Sequence, residues 1–356
     1  MKNLFLTIAL SMAALAAFPQ QTRLLTAEKH NEYGLVYTLP RTEIRIRLTA
    51  TRQTRHAGPY YQYAKKYLGN GNVVMEDAEI WSITSAELLS YGVPDPEKRY
   101  LMQLKPGATT FMSVADNGML LSINTETEQA DMSPCPTDTK ANPGPGVRDY
   151  LKYVDQDFTS SQSSAKQAEM LASSLMDVRD AYLSLTRGTA DNMPTDGHQL
   201  DLMLSSLRDQ ELSLTRAFTG MTETEVITRD FTFSPQTEGR DILCRLSDFS
   251  GFVGKDDYSG DPVYITLRLV SEAELPVDNN GEEKKLPKDA VAYAIPATME
   301  VTVSFAGDTL ADQQMQMAQF GTVFGLAPSL FTDKKAPSYA IFDPATGALR
   351  EIGEIK

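Results

Sequence analysis

The sequence predicts an α+β, β-rich chain in which two antiparallel β domains flank a two-helix antiparallel hairpin. A pattern that occurs twice, once near each end, is the first observation. Gly34-Leu35-Val36-Tyr37-Thr38-Leu39-Pro40-Arg41-Thr42 runs into an alternating strand, and Ala290-Val291-Ala292-Tyr293-Ala294-Ile295-Pro296-Ala297-Thr298 does the same. Each copy continues, in the same order, into an aromatic piece closing in Gly (Tyr67-Leu68-Gly69; Gln319-Phe320-Gly321). A Gly-apolar strand then follows (Asn117-Gly118-Met119-Leu120; Thr346-Gly347-Ala348-Leu349). Such an order is consistent with a diverged duplication of one β unit, although Ala290 stands where the first copy has Gly34. The second observation lies between the copies, where two stretches repeat apolar residues at helical spacing.

In the first domain, residues 17–132, Ile44, Ile46 and Leu48 alternate with Glu43, Arg45, Arg47 and Thr49, which predicts a half-buried antiparallel strand. Gly58-Pro59 opens a short helix over Tyr60–Leu68, because Pro at the first helical position loses no hydrogen bond and Gly69 can end it. Further strands are expected over 79–90, 99–104, 111–114 and 119–123. The segment 133–149 contains Pro134, Pro136, Pro143 and Pro145 and reads as a linker. The helical hairpin covers 150–220. Ala168, Leu171, Leu175, Val178, Tyr182 and Leu185 form one stripe, stopped by Gly188; Leu200, Leu204, Leu207, Leu214 and Phe218 form the other, with Asp196 and Gln199 at capping-box spacing and Gly220 at the end. Glu211 interrupts the second stripe. The final domain, 221–356, returns to strands over 225–233, 241–246, 263–270, 290–295, 299–305, 314–320, 339–342 and 348–352. Asp278-Asn279-Asn280-Gly281 marks a solvated hairpin tip.

Residues 1–16 have the form of a signal peptide: Lys2, an apolar run from Leu4 to Leu15, and Ala14-Leu15-Ala16 as a small-x-small cleavage site. The expectation is an exported protein beginning at Ala17, periplasmic or secreted. With no cysteine at the cleavage point it is not lipid-anchored, and no later run is long enough for a membrane helix. The net charge of −14, from 47 acidic and 33 basic residues, repels nucleic acid and anionic lipid. Cys135 and Cys244 can pair in an oxidising compartment if the fold brings their Cα atoms within about 7 Å. Otherwise Cys244 is a small buried thiol.

Several strings, taken together, carry a resemblance: Gly34-x-x-Tyr37-x-Leu39-Pro40, Gly58-Pro59-Tyr60-Tyr61-x-Tyr63-Ala64-x-x-Tyr67-Leu68-Gly69, Tyr91-Gly92-Val93-Pro94-Asp95-Pro96-Glu97-Lys98, Pro194-x-Asp196-Gly197 and Gln319-Phe320-Gly321. They resemble an uncharacterised family of secreted proteins, a domain of unknown function typical of Bacteroidales-type bacteria. The resemblance covers most of the mature chain and implies export from a Gram-negative cell. It implies no activity, ligand or active site.

Candidate binding residues are Tyr61, Tyr63, Trp81, Asp95, Glu97 and Lys98. The helix at Tyr60–Tyr67 has tyrosines on three sides, so they cannot all face one core, and an outward ring with Trp81 can stack on a sugar face. The alternative packs Tyr60, Ala64 and Tyr67 inward. The Tyr91–Lys98 loop has two X-Pro steps that stiffen it and display Asp95, Glu97 and Lys98, or it is a turn between strands. Asp256, Asp257 and Asp261 crowd near Gly260 but lack the order of a Ca²⁺ loop. His30, His56 and His198 have no ligand spacing, and no nucleophile elbow or phosphate loop occurs, so neither metal nor cofactor is expected. The reading is an exported, non-enzymatic envelope protein that binds an envelope protein or glycan. The alternative is a hydrolase acting on glycan or peptide through a carboxylate pair that sequence does not reveal.

Overall fold

The computed structural model describes residues 22–24, 35–102, 110–127, 134–277, 283–284, 290–332 and 336–355. The expected leader, residues 1–16, lies outside them, as do His30 and the tip Asp278–Gly281. Among the described residues strand makes up 48% and helix 23%, so this part of the chain is β-rich, with several antiparallel sheets and five helices.

The alternating segment becomes β2 (Leu35–His56), which pairs antiparallel with β3 (Ala78–Met102) on one side and β7 (Met221–Phe233) on the other. Short edge strands β1 (Thr22–Leu24) and β6 (Thr139–Lys140) complete the order β1-β3-β2-β7-β6. A second sheet runs β12 (Asp308–Leu326), β11 (Val291–Phe305), β10 (Asp261–Ser271), β8 (Gly239–Ser247), β9 (Gly251–Val253). A third runs β14 (Leu349–Glu354), β13 (Ser338–Phe342), β5 (Leu120–Ile123), β4 (Met112–Val114). Helices are α1 (Ala64–Leu68), α2 (Gln156–Ser160), α3 (Ser164–Arg187), α4 (Gly197–Thr219) and α5 (Ser329–Thr332).

The first two sheets face each other. Ile44, Ile46 and Leu48 of β2 are fully buried, and they share an interior with Val263, Ile265 and Leu267 of β10 and Met299, Val301 and Val303 of β11. Each such side chain contributes about 1.5–3 kcal/mol on burial. A second interior joins Tyr37, Leu39 and Leu120 to Val291, Phe331 and Phe342. The two strand-rich stretches therefore share their cores, where the sequence suggested a separate β domain on each side of the hairpin. The physical reason is that β2 is apolar on one face only, and the faces that cover it lie 200 and more residues away.

Other expectations change for related reasons. Two expected strands, 79–90 and 99–104, are one. β3 passes through Tyr91–Lys98 because β2 pairs with it from Leu35 to Arg55, and Asp95–Lys98 bulge between the pairs Thr38↔Arg99 and Pro40↔Pro94. Likewise β11 runs through Pro296 with an irregularity between Ile295 and Ala297. Part of the proline-rich linker is strapped to the sheet: Thr139 and Lys140 pair with Val226 and Glu225, and Asp138 meets Arg229 at 2.7 Å.

Three of the five strings that carry the resemblance, those of Tyr37, Gly92 and Gln319-Phe320-Gly321, meet where the sheets do. The Tyr37 hydroxyl accepts from Ala292 N–H at 2.8 Å and donates to its carbonyl at 3.3 Å. Thr42 N–H donates to Gln319 Oε1 (3.0 Å), and the Gln319 amide donates back to the Thr42 carbonyl (2.8 Å) and to that of Pro235 (3.1 Å). Gly92 is required by close approach, since a β-carbon there would strike the Pro344 carbonyl and Pro40. Gly321 abuts the Ile295 carbonyl in the same way. Two parallel bridges repeat one geometry: Thr38 N–H donates to Gly118 O and Ala294 N–H to Gly347 O, both at 3.0 Å.

Candidate functional site

Helices α3 and α4 lie side by side, with Arg179 bonded to Glu211 (2.7 Å) and Arg208 to the Tyr182 hydroxyl (2.6 Å). These pairings make the helices antiparallel and account for Glu211 within an apolar stripe. Ser163 caps α3, accepting from Lys166 N–H, and Gly188 in the left-handed region closes it. Asp196 precedes α4, but its side chain makes no capping bond.

The lower half of this hairpin is embedded. Leu171 and Leu175 of α3 and Leu214, Ala217 and Phe218 of α4 are fully buried against Tyr60, Ala64, Tyr150 and Phe158. Tyr60 meets Tyr150 and Phe158 edge-on at 5.8 and 6.3 Å and donates to Gln167. The upper half differs: Met176, Leu183, Met193, Leu202 and Met203 are exposed, Leu202 at 58%. On one side a groove of about 560 Å³ opens between the helices, floored by Ala181, Leu185, Met203 and Leu207. Sequence reasoning missed this surface. The available signal was Leu202-Met203 beside the stripe residues Leu200, Leu204 and Leu207, which makes α4 apolar on more than one side.

The six candidate residues do not form one site. Tyr63 is half-buried with its hydroxyl 3.2 Å from Ser164 Oγ, and the Tyr61 hydroxyl accepts from Gln62. The Trp81 ring lies against Gly251, 5.6 Å from the Arg52 guanidinium, and its N–H donates to Glu79. Asp95 is about 45 Å of extended strand from Trp81. There Asp95 accepts from Glu97 N–H at 3.0 Å and sits 3.8 Å from Lys98 Nζ, so the bulge satisfies itself. A cleft of about 340 Å³ beside it is lined by Val36, Thr38, Pro94, Pro96 and Arg99.

The ionisable groups fall into paired sets. Burial raises the Glu43 carboxyl, but hydrogen bonds from Ser234 (2.6 Å) and Tyr91 (2.8 Å) and the Arg41 charge outweigh it and hold the group below its ordinary value. Hydrogen bonds from Arg47 lower Asp230, and those from Arg229 lower Asp138. Cys135 and Cys244 are unpaired; burial pushes the Cys244 thiol up to about 12, which leaves it inert. Asp257 accepts from Ser259 N–H in the turn before β10, and no group of three ligand side chains clusters among the described residues. No helix among them is long and apolar enough to cross a membrane.

The fold and its surface thus define a β-rich, multi-sheet protein with a two-helix arm. The chain belongs to the family described as a domain of unknown function (DUF4831), which matches residues 33–350. No curated protein and no solved structure matches it.

Proposed function

We propose that this is an exported cell-envelope protein of Bacteroidales-type bacteria that acts as a non-enzymatic interaction module, with the upper half of the α3–α4 hairpin as its contact arm. The observation that carries the reading is the contrast within one pair of helices: a base whose apolar stripe is buried and an outer half with several exposed large apolar side chains. Export rests on the leader-like residues 1–16. The two matching parallel bridges support reading the strand-rich ends as diverged copies of one unit.

The hydrolase alternative calls for a carboxyl held protonated near neutral pH. Among the described residues every carboxyl with a resolved shift, Glu43, Asp138, Asp149, Asp230 and Asp257, is instead moved down. A photo-crosslinking residue at Leu202, installed in the native cell, tests the arm against the same label at Glu300 on the sheet surface. Discrete adducts at position 202 and none at 300 are expected. Adducts at neither position, or protein from the envelope that still begins at Met1, would refute the reading.

A further inference from the structure

We propose that the groove between α3 and α4 is a docking site for a basic amphipathic helix of a partner protein, an inference that rests on the hairpin being the contact arm. Two helices bury only one stripe each, and a third helix laid along them is the ordinary way to cover the remaining apolar surface. The groove has the shape for it. Ala181, Ser184 and Ser206 are small enough to let a neighbouring backbone approach, while Leu185, Met203 and Leu207 offer apolar contact. At about 560 Å³ it falls in the size range of occupied ligand sites. Its wall on α4 from Met203 to Gln210 spans about two helical turns, which suits anchors at i, i+3 or i+4, and i+7.

Charge selects the occupant. Asp177 lies one turn from Ala181, Asp191 lines the groove, and Asp209 lies three residues beyond Ser206; all three are exposed and have no ion pair among the described residues. The nearby cations are engaged elsewhere, Arg179 with Glu211 and Arg208 over the Tyr182 ring at 5.3 Å. Arg187 sits in the last turn of α3, where the helix dipole favours it. An acidic rim around an apolar floor attracts Lys and Arg flanking an apolar stripe. A second copy of this chain would bring the same carboxylates and a net charge of −14 to the contact, and an anionic membrane is disfavoured for the same reason.

The test uses the full chain and two fluorescent peptides of about 18 residues, one a Leu/Lys amphipathic helix and the other its Leu/Glu counterpart. Binding is read by anisotropy at low and high salt. The Leu/Lys peptide should bind at least about tenfold more tightly than the Leu/Glu peptide and weaken with salt. Ser206→Trp, which fills the groove from an exposed position, and the triple variant D177K/D191K/D209K should each weaken it about tenfold or more. The remote pair D256K/D257K should leave it unchanged, and circular dichroism verifies that each variant is folded. A Leu/Glu peptide that binds as well and is blocked by Ser206→Trp would overturn the basic partner while keeping the groove. Leu/Lys binding indifferent to Ser206→Trp would overturn the groove itself. Self-association in sedimentation that Ser206→Trp abolishes would replace the partner helix by a second copy. Crosslinking at Leu202 in cells reports on the arm whatever the partner's charge, so a failure here is distinct from a failure of the functional reading.

Discussion

The junction of the three sheets and the outer half of the helical hairpin use their side chains in opposite ways. At the junction every named group is occupied. Tyr37 exchanges two hydrogen bonds with Ala292, Thr42 and Gln319 lock β2 to β12, and Gly92 leaves no space for a methyl group. On the arm, large apolar side chains face solvent although one stripe of the lower half of those helices is fully buried. The lesson is that several of the strings which look most distinctive in the sequence are devices of assembly, while the surface proposed for recognition is compositionally plain.

Substitutions can break this comparison, and the largest effects belong at the junction. Gly92→Ala and Gly321→Ala must displace backbone, so each should cost more than about 4 kcal/mol in urea unfolding, with Gly254→Ala as a contrast, because a β-carbon there meets nothing within 4 Å and the backbone is not in the left-handed region. Phe218→Ala empties the base of the hairpin and should cost about 3–5 kcal/mol. If it cost less than about 1 kcal/mol, the base would not be the anchor described. Tyr37→Phe keeps the ring and removes the hydroxyl, leaving buried Ala292 groups unpaired; a loss of about 1–3 kcal/mol is expected.

Acid sharpens the same contrast. Glu43, Asp138 and Asp230 have folded pKa values below their unfolded ones, so the stability they contribute is present above the ordinary carboxylate range. It is lost as pH falls through the depressed folded values. Urea midpoints should hold down to roughly pH 4.5 and drop below it, less steeply in Asp230→Asn. A profile that declines first on the alkaline side would contradict this assignment. The smallest effect is expected on the arm, where Leu202→Ser should change stability by no more than about 0.5 kcal/mol in the same unfolding assay.

Much of the local structure was legible. The stop of α3 at Gly188, the positive-φ ends at Gly69 and Gly220 and the inward face of β2 all follow from neighbours a few residues apart. The inward reading of Tyr60 and Ala64 also holds, since their spacing matches the helix turn that packs on Phe218. What was not legible concerns partners far along the chain. No local pattern marks Gln319 as the partner of Thr42, or Asp138 as that of Arg229, because each residue alone is an ordinary polar surface type. The groove was equally hidden, since an apolar residue outside a stripe is read only against what covers it.

By itself the amino-acid order determined the periods: two-residue alternation for β2 and β10, helical repeats for α3 and α4, glycine stops, and an acidic chain with one leader-like end. Tertiary structure alone decided that β7 joins β2, that β13 joins β5, and that the prolines at 94 and 296 lie within continuous strands. The physical reason is range. Periodicity is set by backbone geometry over a few residues, whereas strand pairing is chosen by which apolar faces cover one another across the whole chain.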